Sequence, residues 1–136
     1  KNHFFVGHIG DSRAYLIRNG KILQITEDHS YVEELVKMGK ITQEEARVHP
    51  QKNIITRALG VDEEVEVDTF YGDVFPQDIL CLCTDGLTNL VRDEDILEEF
   101  SKNQDIARAC ENLVNMAKEN GGYDNITIVA VKEVGL

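Results

Sequence analysis

The sequence predicts an α+β fold with largely antiparallel sheets, and three observations carry that prediction. Segments of strand character come in runs, and so do segments of helical character, whereas a parallel sheet with crossover helices needs them to alternate. An Asn19-Gly20 pair separates two alternating segments, which marks a tight hairpin because both turn residues need positive φ. Two apolar runs, Ile79-Leu80-Cys81-Leu82-Cys83 and Ile126-Thr127-Ile128-Val129-Ala130-Val131, have the composition of strands buried on both faces.

The first strand is expected over residues 3–10. It begins with no cap or leader before it, which predicts a chain that is part of a larger domain. The hairpin follows, over residues 12–18 and 21–25. Ser30 and Glu33 are spaced as a capping box, and Val32, Leu35 and Val36 continue at helical spacing until Gly39 stops the helix. Thr42-Gln43-Glu44-Glu45 repeats the box for a second short helix. Residues 49–60 are irregular. The stretch 29–60 therefore reads as two small helices and a loop inserted between strands, apolar-poor and comparatively mobile.

Two strands are expected over residues 65–72 and 78–83, then a helix over 93–100. A longer helix over 106–118 carries Ile106, Ala109, Cys110, Leu113, Val114 and Ala117 on one stripe, and Asn120-Gly121-Gly122 ends it. The last strand, 126–131, is apolar on both faces and is expected at the centre of its sheet.

With 136 residues and 42% hydrophobic content, the chain can bury one core. No apolar run approaches the ~18–20 residues of a membrane span, so a soluble, cytoplasmic protein is expected. The net charge of −11, with 14 basic residues scattered among 25 acidic ones, excludes nucleic acid as a partner. Three cysteines make an odd number, and Cys81 and Cys83 fall within an apolar strand. Neither a disulfide framework nor a zinc site is expected from them.

Chemistry points to three aspartates. Asp11 stands in Gly10-Asp11-Ser12-Arg13, Asp85 in Cys83-Thr84-Asp85-Gly86, and Asp124 in Gly122-Tyr123-Asp124-Asn125. Each lies where a strand meets a turn beside Gly or Asn. Carboxylates at the ends of neighbouring strands can converge on a hard divalent cation such as Mg²⁺ or Mn²⁺. Singly, each is ordinary turn chemistry.

The neighbours of these aspartates make the set specific. Gly10-Asp11-Ser12-Arg13-Ala14-Tyr15-Leu16 resembles a hallmark of the PPM family, the type-2C metal-dependent Ser/Thr protein phosphatases. So do Thr26-Glu27-Asp28-His29-Ser30, and His49-Pro50 followed by Asn53-Ile54-Ile55-Thr56-Arg57-Ala58-Leu59-Gly60. Cys83-Thr84-Asp85-Gly86-Leu87 and Gly122-Tyr123-Asp124-Asn125-Ile126-Thr127 complete the series, in family order and closest to the bacterial members.

The resemblance implies an antiparallel β-sandwich flanked by helices, with metals in a cleft at one end. On that basis residues 1–136 form one partial phosphatase domain, and residues 29–57 form a flap that selects substrate, with His29, Ser30, His49 and Arg57 as its candidate contacts. Asp85 and Asp124 match ligands of the catalytic Mg²⁺ or Mn²⁺ pair. Asp11, with Asp85, matches the holders of a third, weaker ion. Asn125 is expected to orient Asp124 or its waters. The implied reaction is hydrolysis of phosphoserine and phosphothreonine in proteins by a metal-bridged water, without a phosphoenzyme. The implied partners are phosphoproteins, targets of a Ser/Thr kinase.

The sequence also departs from the family pattern. The phosphate-gripping Arg and the Asp-Gly-x-Gly-Gly motif expected toward the N-terminus are absent from these residues. This chain by itself is therefore expected to be inactive, to bind metal weakly, and to self-associate through an open sheet edge. A non-catalytic phosphatase-like binding module is the alternative, and a plain acidic cation-binding domain a third reading. His8 is a weaker candidate acid or ligand. Arg13 and Arg57 could hold phosphate, but pairing with local carboxylates is favoured.

Overall fold

Asn19 and Gly20 take φ values of 51° and 72°, so the expected tight turn joins β2 (Arg13–Arg18) to β3 (Lys21–Gln24). The computed structural model describes residues 2–135. Its other elements are β1 (Asn2–His8), α1 (Tyr31–Lys37), α2 (Gln43–Arg47), β4 (Asp68–Val74) and β5 (Ile79–Cys83). These are followed by α3 (Asp85–Thr88), α4 (Asp93–Lys102), α5 (Ile106–Glu119) and β6 (Ile128–Lys132).

The strands form two antiparallel sheets. One has the order β3-β2-β5-β6; the other pairs β1 with β4, placing Val6 opposite Phe70 and His8 opposite Asp68. The α+β class and the antiparallel pairing agree with expectation. The core lies between one face of the larger sheet and the helices. Tyr15, Ile17, Ile79, Cys81 and Cys83 meet Leu87, Ile96, Phe100, Ala109, Leu113 and Ala117 there. Each large apolar side chain buried in this layer contributes about 1.5–3 kcal/mol. The cysteines are free, as expected, with Cys81 and Cys83 buried. Among the described residues no helix is long and apolar enough to cross a membrane.

Five expectations need correction. Among the described residues β6 is an edge strand, not a central one. β5 is buried on one face only, and Leu82 is 47% exposed, as are Val129 (53%) and Val131 (61%) of β6. These residues reach open grooves instead of a packed layer. One groove, of about 490 Å³, is lined by Phe5, Val74, Leu80 and Val131, and another, of about 280 Å³, by Val6, His8, Leu82 and Val129.

β4 begins at Asp68, three residues later than expected, because its pairing with β1 runs only as far as His8. The one-turn helix α3 was not foreseen, since Thr84-Asp85-Gly86 reads locally as a turn. The Ser30 capping box is also only half formed. Ser30 Oγ accepts from the Glu33 N–H at 3.2 Å, but the Glu33 carboxylate takes Gln43 Nε2 at 3.4 Å. At Thr42 both halves are present.

Candidate metal centre

Gly10 makes the turn that carries Asp11. Its φ of +105° suits glycine, which has no Cβ to clash. His29 closes both of its polar groups: the Gly10 N–H donates to His29 Nδ1 at 3.0 Å, and the His29 N–H donates to the Gly10 carbonyl at 2.8 Å. Asp85 opens α3 at the end of β5. Burial, then the neighbouring Asp85, then Asp28, push the Asp11 carboxyl up to about 6. Two of the three expected ligands are therefore neighbours. Both line a pocket of about 50 Å³ with Asp28, Lys52 and Arg47.

Asp124 arrives by a different route. Thr84 exchanges backbone N–H and side-chain bonds with Thr127, donating to its carbonyl at 3.1 Å and accepting its N–H on Oγ1 at 3.1 Å. This draws the loop before β6 against α3. The approach needs glycine at position 86, where a Cβ would lie 2.0 Å from the Asn125 carbonyl oxygen and 3.5 Å from the Asp124 carbonyl carbon. The Asp124 backbone is thus beside Gly86, the residue after Asp85. Its side chain is exposed, and its carboxylate accepts the Asn125 N–H at 2.7 Å. Asn125 therefore holds Asp124 with its backbone. Among the described residues, no three His, Cys, Asp or Glu side chains are gathered closely enough to hold a metal ion.

The arginines pair with carboxylates. Arg13 grips Asp28 through Nε at 3.0 Å and Nη2 at 2.7 Å, and also donates to the Tyr15 hydroxyl at 3.0 Å. Arg57 Nη1 donates to Asp68 Oδ1 at 3.0 Å. His29 Nε2 donates to the other oxygen of Asp68 at 2.7 Å, and these two bonds hold the Asp68 carboxyl below the usual range. His8 bonds the Glu27 carbonyl at 3.0 Å and lies 4.8 Å from the His29 ring. Ser30 caps α1. His49 Nδ1 accepts the Gln51 N–H at 3.0 Å in a local turn. The segment 29–57 is closed at its base by Tyr31 N–H to Ile54 O and Thr56 N–H to His29 O. Arg47 ties α2 to the carbonyl of Thr88, at the end of α3 (3.1 Å).

Sequence reasoning gave no role to Asp68 or Arg47. Nothing near either in the chain signals one, because their partners are 39 and 41 residues away.

Two family models match the chain: Stage II sporulation protein E over residues 39–133, and Protein phosphatase 2C over residues 1–63. The chain belongs to the PPM family of metal-dependent phosphatases.

Its PPM relatives are bacterial. The serine/threonine phosphatase stp of Listeria welshimeri is 42% identical over 132 residues, covering 97% of this chain and 52% of the relative. Protein phosphatase PhpP of Streptococcus pneumoniae is 44% identical, with 96% and 53% covered. The solved S. agalactiae serine/threonine phosphatase superposes with a TM-score of 0.91 at 38% identity, covering 99% of this chain and 55% of that one. The catalytic domain of PstP, solved in complex with two manganese ions, gives 0.86 at 40% identity, with 98% and 55% covered. The chain spans about half the length of the curated relatives it matches.

The residues present fit a hard cation in part. Two neighbouring carboxylates, with the half-buried Asp11 raised by Asp85 and by Asp28, are in the state a divalent cation would relieve. Asp11 and Asp85 would supply part of one site. They do not complete a two-ion centre.

Proposed function

We propose that the whole protein hydrolyses phosphoserine and phosphothreonine in cytoplasmic proteins, the targets of a Ser/Thr kinase, with Mg²⁺ or Mn²⁺ as cofactor. The observation that carries this reading is the convergence of Asp11 and Asp85 on one pocket, at the ends of two paired strands, with the Asp124 backbone beside Gly86. Asp11, Asp85 and Asp124 would hold the ions. Bound there, divalent ions supply charge neutralisation at the phosphoryl oxygens and lower the pKa of a water nucleophile. The chain's own residues set the frame. The Arg13 fork keeps Asp28 paired, and Thr84 holds the loop before β6 against the start of α3.

Residues 1–136 act in this reading as one partial domain, with residues 29–57 as the substrate-selecting flap. By themselves they supply too few ligands for a two-ion reaction. The open grooves beside Phe5 and Val131 support association with a second copy or a complementing chain.

The test is Asp85→Asn in the full-length protein. Loss of a residue that merely supports a ligand weakens metal binding or activity about 10–100-fold, so loss of a ligand should lower Mn²⁺-dependent phosphate release from a phosphopeptide at least about 100-fold. Unchanged release would reject the reading. Absence of release from the parent protein, with phosphoprotein binding intact, would indicate the non-catalytic module.

A further inference from the structure

His29 sits where a flap residue was expected to meet substrate, yet it is only 6% exposed and all of its polar atoms are engaged within the fold. We propose that Asp68 and His29 are positioning residues for Asp11, forming a relay Asp68–His29–Gly10 that holds the turn on which Asp11 stands. The proposal rests on the reading of Asp11 as a metal ligand.

The hydrogen bonds determine the state of the ring. Nδ1 accepts the Gly10 N–H at 3.0 Å, so it carries no proton. The ring proton is on Nε2, which donates to Asp68 Oδ2 at 2.7 Å. Two bonds at opposite corners of the imidazole leave it no rotational freedom. A histidine that only fills space needs neither a chosen tautomer nor a carboxylate partner.

The relay is anchored to the sheet. Asp68 is the first residue of β4 and pairs with His8, the last of β1. Gly10 and Asp11 follow directly from that strand end. Buried Gly10 has both its N–H and its carbonyl closed by His29, so the turn cannot shift without breaking two bonds. Arg57, at the far end of the flap, takes the second oxygen of Asp68 at 3.0 Å. The same carboxylate therefore ties both ends of the segment 29–57 to the Asp11 turn. Ligands must be held to within about 0.5 Å for productive coordination, and supporting hydrogen bonds provide that.

Three variants of the full-length protein test this. In His29→Asn the amide oxygen falls near the Nδ1 position and can still accept the Gly10 N–H. In His29→Gln the amide reaches toward Asp68 and leaves Gly10 without an acceptor. Asp68→Ala removes the anchor and spares the ring. The readouts are Gly10 amide exchange, the nitrogen shifts of the His29 ring, Mn²⁺ titration by water-proton relaxation, and thermal unfolding.

The expected result is that His29→Gln exposes the Gly10 amide and weakens the Asp11-dependent Mn²⁺ site about 10–100-fold. His29→Asn should stay much closer to the parent. Asp68→Ala should free the ring at Nε2 and weaken the site by an intermediate factor. Losses that are equal in all three variants and follow thermal stability alone would overturn the relay. So would unchanged Mn²⁺ binding in His29→Gln with Gly10 exposed. An Asp11→Ala protein that binds Mn²⁺ like the parent would instead overturn the ligand reading beneath the proposal, and the Gly10 exchange data separate the two failures.

Discussion

At the scale of single residues, buried polar groups are stabilising only where their partners are complete, and Asp78 illustrates this away from the metal centre. Its buried carboxylate accepts Arg18 Nε at 2.9 Å, Arg18 Nη2 at 2.6 Å and the Phe75 N–H at 2.7 Å, while the guanidinium lies 4.6 Å above the Phe75 ring. Hydrogen bonding by Arg18 outweighs burial and holds the Asp78 carboxyl below its usual range. A folded-state pKa below the unfolded one contributes stability above the unfolded value, and that stability is lost as pH falls through the folded value. Asp78→Asn should therefore cost about 1–3 kcal/mol at pH 7 and much less at about pH 3. Urea unfolding of parent and variant at the two pH values checks the sign. A cost that grows toward acid would refute it.

Among the elements, the helix starts and the hairpin were legible in the sequence because the groups that make them are close in the chain. Thr42 and Glu45 complete their box within one turn. Thr42→Ala should destabilise α2 by about 1 kcal/mol and raise amide exchange there, with little change in global unfolding, because α2 buries only Ala46. An equal loss in the global transition would show that the flap unfolds with the core. The element that sequence reading missed, α3, depends on a distant neighbour. Gly86→Ala would push a methyl into the Asn125 carbonyl and force the Asp124 loop off Asp85. The expected cost is about 1–3 kcal/mol with weaker Mn²⁺ binding, measured by denaturation and metal titration on one preparation. Parent-like stability and Mn²⁺ affinity in that variant would show that the close approach is dispensable.

For the molecule as a whole, the apolar pattern of β5 and β6 called for cover on both faces, and among the described residues one face has it. Leu82, Val129 and Val131 stand in the open grooves, and Phe5 and Tyr71, each 80% exposed, stack on each other at 6.2 Å on the outer sheet. Apolar surface of this kind is attractive to a second chain. The 136-residue chain should therefore sediment as a dimer or larger species at micromolar concentration, and Val131→Lys, which places a charge in the groove, should restore the monomer. A monodisperse parent monomer would count against association through this face.

What the sequence determined by itself was the local grammar and the kinship. Turn, cap and stripe residues specified the hairpin, α1, α2 and α5, and five motifs in order specified the family and the three aspartates. These signals are legible because each involves residues within a few positions of one another. Only the tertiary structure decided that β6 is an edge among the described residues, that Asp11 and Asp85 line one pocket while Asp124 turns toward its own neighbour, and that His29 is buried between Gly10 and Asp68. Those outcomes depend on partners that the chain brings together from 19 to 74 residues apart, and no local pattern encodes which of two possible partners will be there.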